Sequence, residues 1–453
     1  MNSMRISLGL AVLILGVGRL GGSSHAQEAS SSKFQLPASD EGLAGQGPIR
    51  RYDWFKRLWV ERRARWAERV ERDAGAVVFL GDSITQGWGD DFSGWWPGLK
   101  AANRGISGDT SRGVLLRLRE DVLALKPRGV VLLIGTNDLE EKAEPETIAG
   151  NLPLILDEIG RQDPKLPVVL CQVFPSSAAK SRPSDKIKKL NRLYAEAVRA
   201  RESVTLVETW TLYADDQGDA PASEFPDLLH LNQAGYAKWA SALRPVFATL
   251  GWVETETYEF APEPGFESLF NGRDLTGWGY RVTSEADKES ARKWKASDPS
   301  APPWPVVEAP VAFDGKSESR DGRYRAIRGR LVVATPSEGR KIQQLYTTRD
   351  FPEDFVLRLE FRATPNADSG IFIRGRQLQC RDYPLAGPYK KLRNYRPGGW
   401  NEIEVTVKGG VAFCLCNGEV IEEAMKVPET GPIGLEGDRG QMEYRRLRIR
   451  ALR

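Results

Sequence analysis

The chain has 453 residues, with 64 lysines and arginines against 61 aspartates and glutamates and a formal net charge of +3. That length exceeds one ordinary hydrophobic core and calls for two domains, while so small a net charge excludes a polyanion partner, nucleic acid included. The four cysteines, Cys171, Cys380, Cys414 and Cys416, are too few and too scattered for a disulfide scaffold; Cys414 and Cys416, with no histidine nearby, have the spacing of one strand face and not of a zinc site.

At the amino end Arg5 precedes an apolar run from Ile6 to Gly18 that is short for a bilayer span, and Ser24-His25-Ala26 offers the small residues a signal peptidase reads. Residues 1–26 therefore read as a removed signal peptide, which makes the protein secreted or periplasmic without stable membrane insertion. Residues 27–50 are polar and read as a flexible linker. Tyr52 to Val70 then has helical spacing, with Phe55, Trp59, Trp66 and Val70 on one side and charged residues on the other. Acids interleaved with the arginines favour docking on the following domain over a membrane-surface helix.

From Ala76 to Leu250 the apolar runs Val77–Leu80, Ala101–Asn103, Gly129–Ile134, Pro167–Val173 and Val204–Val207 alternate with amphipathic segments such as Ser111–Leu125, Thr147–Arg161, Asp185–Arg201 and Gln233–Leu250. Continuous apolar strands separated by helices predict a parallel sheet covered on both faces, an α/β domain over 51–250. Residues 251–265 read as a second linker. Beyond it the periodicity shifts to two: Phe355, Leu357, Leu359 and Phe361 alternate with polar neighbours, as do Ile403, Val405 and Val407. Gly409-Gly410 and Asn417-Gly418 sit where tight turns would join three successive strands. Residues 266–453 are thus expected to form an all-β sandwich, with the Pro-rich, charged stretch Ser284 to Pro310 as a long surface loop.

Ligands bind outside the carboxyl ends of the strands of an open parallel sheet. Four polar motifs fall there: Gly81-Asp82-Ser83, Arg104-Gly105, Gly135-Thr136-Asn137-Asp138 and Asp227 to His230. The sequence has two histidines, and His25 lies in the expected signal, so any imidazole chemistry falls to His230. A serine hydroxyl needs a base to become a nucleophile, and that base needs a carboxylate to fix its tautomer; Ser83, His230 and Asp227 supply those parts. Backbone N–H groups of Ser83 and Gly105 and the side-chain amide of Asn137 are candidates for an oxyanion hole. Taken singly, Ser83 also fits a helix cap, Gly105 a turn, Asn137 a loop hydrogen bond and His230 a structural histidine; the ordered set at one sheet edge favours catalysis. Asp82, Asp109 and Asp138 read as loop and cap carboxylates.

The blocks Val78 to Thr85, Asn103 to Gly108, Ile134 to Asp138 and Asp227 to Leu231 resemble those of the SGNH (GDSL) hydrolases, closest to the branch of platelet-activating-factor acetylhydrolase α subunits. The resemblance covers about residues 76 to 250. It implies a flavodoxin-like sheet and an esterase with Ser83 as nucleophile, His230 as base, Asp227 as its orienter, and Ser83, Gly105 and Asn137 as oxyanion donors.

Phe266 to Trp278, Asp368 to Arg374, Gly399 to Glu402 and Gly434 to Asp438 resemble the 3-keto-disaccharide hydrolase family, which implies a concanavalin-like jelly roll. Leu378-Gln379-Cys380-Arg381-Asp382 departs from the acidic, glutamine-containing strand expected there, which shifts the weight from hydrolysis towards glycan binding. Asp368, Arg374, Gln379 and Glu436 are the candidate residues of that domain.

Trp88, Trp95 and Trp96 follow Ser83 closely and are expected to stack on sugar, although tryptophans equally fill cores. The resulting expectation is a carbohydrate O-acetylesterase acting on a small-molecule or polysaccharide ester, with glycan held by the second domain and no metal or organic cofactor. The alternatives are a glycan-binding protein, a glycosidase acting on 3-keto-disaccharides through the carboxyl-terminal domain, and a lipid or lysophospholipid acetylhydrolase.

Overall fold

The computed structural model describes residues 34–199, 201–254, 258–299, 305–334 and 343–452. The expected signal peptide lies outside them. No helix among the described residues is long and apolar enough to cross a membrane.

The amino-terminal half is built on five parallel strands, β1 (Val77–Gly81), β2 (Ala101–Gly105), β3 (Gly129–Leu133), β4 (Val168–Cys171) and β5 (Val204–Val207), in the order β2-β1-β3-β4-β5. The residues of β1, β3 and β4 are all buried, because helices cover both faces and leave no side of those strands for polar residues. Helices α1 (Asp53–Ala67), α2 (Ser111–Asp121), α3 (Pro145–Gln162), α4 (Ser184–Val198) and α5 (Gln233–Thr249) supply those layers. One apolar cluster joins Val78, Leu80 and Leu132 to α2, α3 and α4; another joins Val77, Phe79 and Val131 to α5. The strand order reverses direction between β1 and β3, and an open sheet has its crevice at such a switch point.

Helix α1 docks as its spacing predicts, with Phe55, Trp59 and Trp66 buried, but its polar side is also engaged. Arg63 is buried and pairs with Asp121, and Arg62 donates to the Gly105 carbonyl at 3.0 Å. The guanidinium groups of Arg62, Arg104 and Arg117 all lie over the Trp66 ring.

The expected flexible linker is corrected over its described part, residues 34–50, which packs as a strap. Gln46 and Asn151 exchange two hydrogen bonds of 3.0 and 2.8 Å, Thr110 Oγ1 donates to the Pro48 carbonyl at 2.8 Å, and Phe34 and Ile49 are buried. Polar composition misled because backbone carbonyls, not side chains, make most of these contacts.

The carboxyl-terminal half is a sandwich of two mainly antiparallel sheets. One has the path Glu419–Lys426, Val411–Cys416, Asn401–Lys408, Phe355–Ala363, Gln441–Ala451, Arg330–Ala334 and Tyr324–Ile327, with Glu267–Ser268 added beside Gln441–Ala451. The other runs Arg376–Gln379, Gly370–Ile373, Ile433–Leu435, Leu345–Thr347, Trp278–Tyr280 and Val311–Ala312. The alternating residues Leu357, Leu359, Phe361, Ile403 and Val405 meet Ile371, Ile373 and Leu435 in one core. Asn417 and Gly418 have φ of 49° and 82°, the left-handed pair that a tight two-residue hairpin needs. Cys414 and Cys416 are both buried and free. The stretch expected as a loop, Ser284 to Pro310, contains a helix, Glu285–Ser297, with no buried residue; Ser284 caps it by accepting from the Asp287 N–H.

The two halves touch along the exposed edge of the parallel sheet. Gln441 Nε2 donates to the Pro245 carbonyl at 3.1 Å, Asn366 donates to Glu208 just past β5, and Arg439 faces the same carboxylate at 3.6 Å. The stretch expected as the second linker is packed in its described parts: Trp252 is buried, and Arg445 lies 4.2 Å from the centroid of the Tyr258 ring.

Candidate active site

Ser83 follows β1 as the first residue of a short helical turn, Ser83–Gln86, where no preceding turn supplies an acceptor for its N–H. Asp82 caps that turn by accepting from the Ile84 N–H at 2.9 Å, and burial pushes its carboxyl up to about 7. The Tyr236 hydroxyl, from α5, fixes the far side by donating to the Ile84 carbonyl at 2.7 Å.

His230 reaches this turn from a loop 147 residues away in sequence, with Nε2 2.9 Å from Ser83 Oγ. Its Nδ1 is 2.7 Å from Asp227 Oδ2. The other carboxylate oxygen, Oδ1, accepts from the backbone N–H groups of Leu229 (3.1 Å) and His230 (2.7 Å). Leu228, between Asp227 and Leu229, takes a left-handed φ of 64°, and its carbonyl accepts from Ser176 Oγ at 2.8 Å. Desolvation raises the Asp227 pKa, but the hydrogen bonds from the His230 backbone and ring outweigh it and hold the carboxyl at about 2. The side chains of His230 and Asp227 are 45% and 46% exposed, so the pair sits at an open surface.

Asn137 stands on the short helix Thr136–Glu140 after β3, introduced by Gly135 at φ 124°. Its amide is oriented at both ends: Nδ2 donates to the Asp109 carbonyl at 2.9 Å, and Oδ1 accepts from Arg182 Nη2 at 3.1 Å. An amide nitrogen has two hydrogens, so one is left to donate. Gly105 differs from expectation: its N–H is engaged by Asn103 Oδ1 at 2.8 Å, so the anticipated third oxyanion donor is occupied. Glycine is required there by close approach, since a Cβ would lie 2.3 Å from Gln86 N and 2.8 Å from the Asp82 carbonyl.

Buried charge holds the loops around these residues. Arg117 donates to Asp109 Oδ2 at 2.8 Å and to the carbonyls of Gly81 and Arg104 at 3.1 and 2.9 Å, tying together the ends of β1 and β2. Asp138 accepts from the Ser111 N–H and Oγ at 2.9 and 2.6 Å, linking the loop after β3 to α2. Burial pushes both Asp109 and Asp138 up to about 6. Arg117 and Arg182 lie 36 and 45 residues from site groups they hold, and nothing in their local sequence marks them.

The tryptophans after Ser83 require a correction. Trp96 and Trp88 are buried, packed with Phe79, Phe92, Trp239 and Phe247 between the sheet and α5, and Trp95 leans on the edge of Trp88. Trp88 and Trp96 are therefore core residues, and Trp95 is half-buried against them.

In the second half, Arg374 also requires correction. It is buried, and its guanidinium spends four of its five N–H hydrogens on backbone carbonyls, those of Phe351, Pro352, Glu353 and Pro428, which holds it as a structural group. Glu436 accepts from Gln344 Nε2 at 2.9 Å and Gln377 Nε2 at 2.7 Å, and burial pushes its carboxyl up to about 7. Gln379 lies beside Gln377, and its buried Oε1 has no donor among the described residues. Asp368 pairs with Arg381 at 2.7 Å. Glu436, Gln379 and Asp368 thus share one polar region, together with Gln344, Gln377 and Arg381, which sequence reasoning missed.

Comparison with known proteins separates the same two parts. Residues 79–238 match the GDSL-like lipase/acylhydrolase family, and residues 265–450 match the 3-keto-alpha-glucoside-1,2-lyase-like domain. Human platelet-activating factor acetylhydrolase IB subunit alpha2 is 29% identical over 199 residues, covering 42% of this chain and 84% of that protein. Esterase TesA of Pseudomonas aeruginosa is 30% identical over 146 residues, 30% of this chain and 70% of the esterase. A GDSL-like lipase structure from Bacteroides thetaiotaomicron superposes with a TM-score of 0.36 at 25% identity, covering 41% of this chain and 97% of its own. The chain belongs to the GDSL-like lipase/acylhydrolase family, a carboxylic ester hydrolase that carries a second, 3-keto-alpha-glucoside-1,2-lyase-like domain.

Proposed function

We propose that the protein is an exported carbohydrate O-acetylesterase that works through Ser83, His230 and Asp227. The observation that carries this reading is the continuous chain of contacts, 2.9 Å from Ser83 Oγ to His230 Nε2 and 2.7 Å from His230 Nδ1 to Asp227 Oδ2. His230 takes the hydroxyl proton as Ser83 Oγ bonds to the acetyl carbonyl carbon. The carbonyl π electrons move onto its oxygen, which the Ser83 N–H and the free Asn137 Nδ2 hydrogen stabilise. Collapse breaks the bond to the sugar oxygen, which leaves with the proton from His230. Water, activated by the same imidazole, then releases acetate and restores Ser83. Asp227 stays ionised throughout and balances the imidazolium. Gly105 could join the oxyanion donors only by giving up Asn103.

The choice of sugar over lipid rests on the open setting of His230 and Asp227 and on the second domain. There the carboxyl of Glu436, the amides of Gln377 and Gln379 and the carboxylate of Asp368 offer both donors and acceptors for sugar hydroxyls. The test is acetate release from acetylated polysaccharides against release from a short-chain acetyl phospholipid. The account expects a higher kcat/KM on the polysaccharides; preference for the phospholipid would reverse the substrate assignment.

A further inference from the structure

We propose that Tyr52 and Trp54 form a sugar-stacking subsite at the rim of the Ser83 site, which takes a pyranose ring of the glycan bearing the scissile ester. This rests on the esterase reading above and names how its substrate is held.

The two rings are 52% and 45% exposed, whereas Phe55, Trp59 and Trp66 of the same segment are buried. They stand nearly parallel, 15° apart with centroids separated by 6.4 Å. Their supports are the two loops that flank Ser83. The Trp54 indole lies against Gly108, where an added Cβ would come within 2.6 Å of Cη2. Gly108 is three residues beyond Gly105, a reach of at most about 11 Å of extended chain. Between them Ser107 N–H donates to Gln86 Oε1 at 2.8 Å, on the Ser83 turn itself. On the other side the Tyr52 hydroxyl donates to Glu141 Oε2 at 3.3 Å, and Arg50 Nε donates to Oε1 of the same carboxylate at 2.7 Å. Glu141 lies four residues beyond Asn137 on the same short segment.

The chemistry of this rim fits a sugar. A pyranose presents an apolar C–H face, which an aromatic face covers, and a periphery of hydroxyls, for which the Glu141 carboxylate is an acceptor. Size argues against a protein partner. Two half-exposed rings offer on the order of 200 Å², about a quarter of what one side of a standard interface buries. With Trp88 and Trp96 in the core, Tyr52 and Trp54 are the exposed aromatics packed against these loops among the described residues.

The test measures kcat and KM of the full chain, Trp54→Ala, Trp54→Phe and Tyr52→Ala on acetylated gluco-, xylo- and manno-oligosaccharides and on p-nitrophenyl acetate, which has no sugar. For the oligosaccharide that the parent chain cleaves best, Trp54→Ala should raise KM about tenfold and lower the ratio of its kcat/KM to that for p-nitrophenyl acetate by the same factor, with Trp54→Phe recovering most of it. Equal losses on both substrates would mark a structural role and overturn the proposal. So would an unchanged KM, an unchanged KM with an altered oligomeric mass, or cleavage of p-nitrophenyl acetate but of none of the oligosaccharides. Inactivity of the parent chain on every ester would instead remove the esterase reading on which the subsite rests.

Discussion

Asp227 spends both carboxylate oxygens on His230: Oδ1 accepts the backbone N–H at 2.7 Å, and Oδ2 lies 2.7 Å from ring Nδ1. One side chain therefore fixes where the histidine's backbone sits and how its ring faces Ser83. The spacing of three residues and the left-handed Leu228 make this geometry possible.

The first prediction separates those two tasks. Asp227→Asn keeps an oxygen for the backbone N–H groups but presents an amide that cannot balance an imidazolium or favour the same tautomer. On a chromogenic acetate ester kcat should fall about 10³-fold or more while the melting temperature stays close to that of the parent. A rate above a tenth of the parent's would show that Asp227 is not the orienter.

The pH dependence follows from the low pKa of Asp227. With its carboxyl held at about 2, Asp227 stays ionised well below neutral pH, so a loss of kcat/KM between pH 7 and 4 does not come from its protonation. The same carboxyl links stability to pH. A depressed carboxyl stabilises the native state above its unfolded value of 3.8, and that contribution is lost as pH falls towards about 2. An Asp227 carboxyl that titrates in the native protein near 3.8, followed by carboxyl NMR, would contradict this assignment.

Arg182 acts through Asn137. Asn137→Ala removes an oxyanion donor and should cost about 10²–10³ in kcat. Arg182→Met leaves that donor in place but releases Oδ1, so the amide can turn away; kcat should drop by a smaller factor, with KM little changed. Equal KM and kcat effects for Arg182→Met would place its role in binding.

Glu436 gives the second domain a pH signature of opposite sign. Its folded pKa of about 7 lies above the unfolded value of 4.5, so between these values the native state keeps a proton that the unfolded chain releases. Stability from this group is complete below about pH 4.5 and declines as pH rises to 7. Glu436→Gln should flatten the dependence of melting temperature on pH across that window relative to the parent chain; a parallel curve would refute it.

The parallel strands were legible in sequence because strands covered on both faces must be continuously apolar, as in Val77–Gly81 and Gly129–Leu133. The proximity of Asp227 to His230 was legible because the two are local. Distance in sequence hid Arg182 from Asn137, and Arg117 from the ends of β1 and β2, since a buried arginine bonded to backbone carbonyls leaves no pattern of its own. Trp88 and Trp96 misled for a geometric reason: nearness to Ser83 along the chain says nothing about which way the chain turns. Helix Glu285–Ser297 escaped notice because it buries nothing, and its cap and surface ion pairs leave no apolar period.

The most direct measurement is hydrolysis of p-nitrophenyl acetate by the full chain and by Ser83→Ala, with circular dichroism to verify that both fold. The account predicts that the substitution lowers kcat by at least about 10³-fold with the fold unchanged. Folded Ser83→Ala that hydrolyses the ester at the parent rate would contradict the claim that Ser83 is the nucleophile.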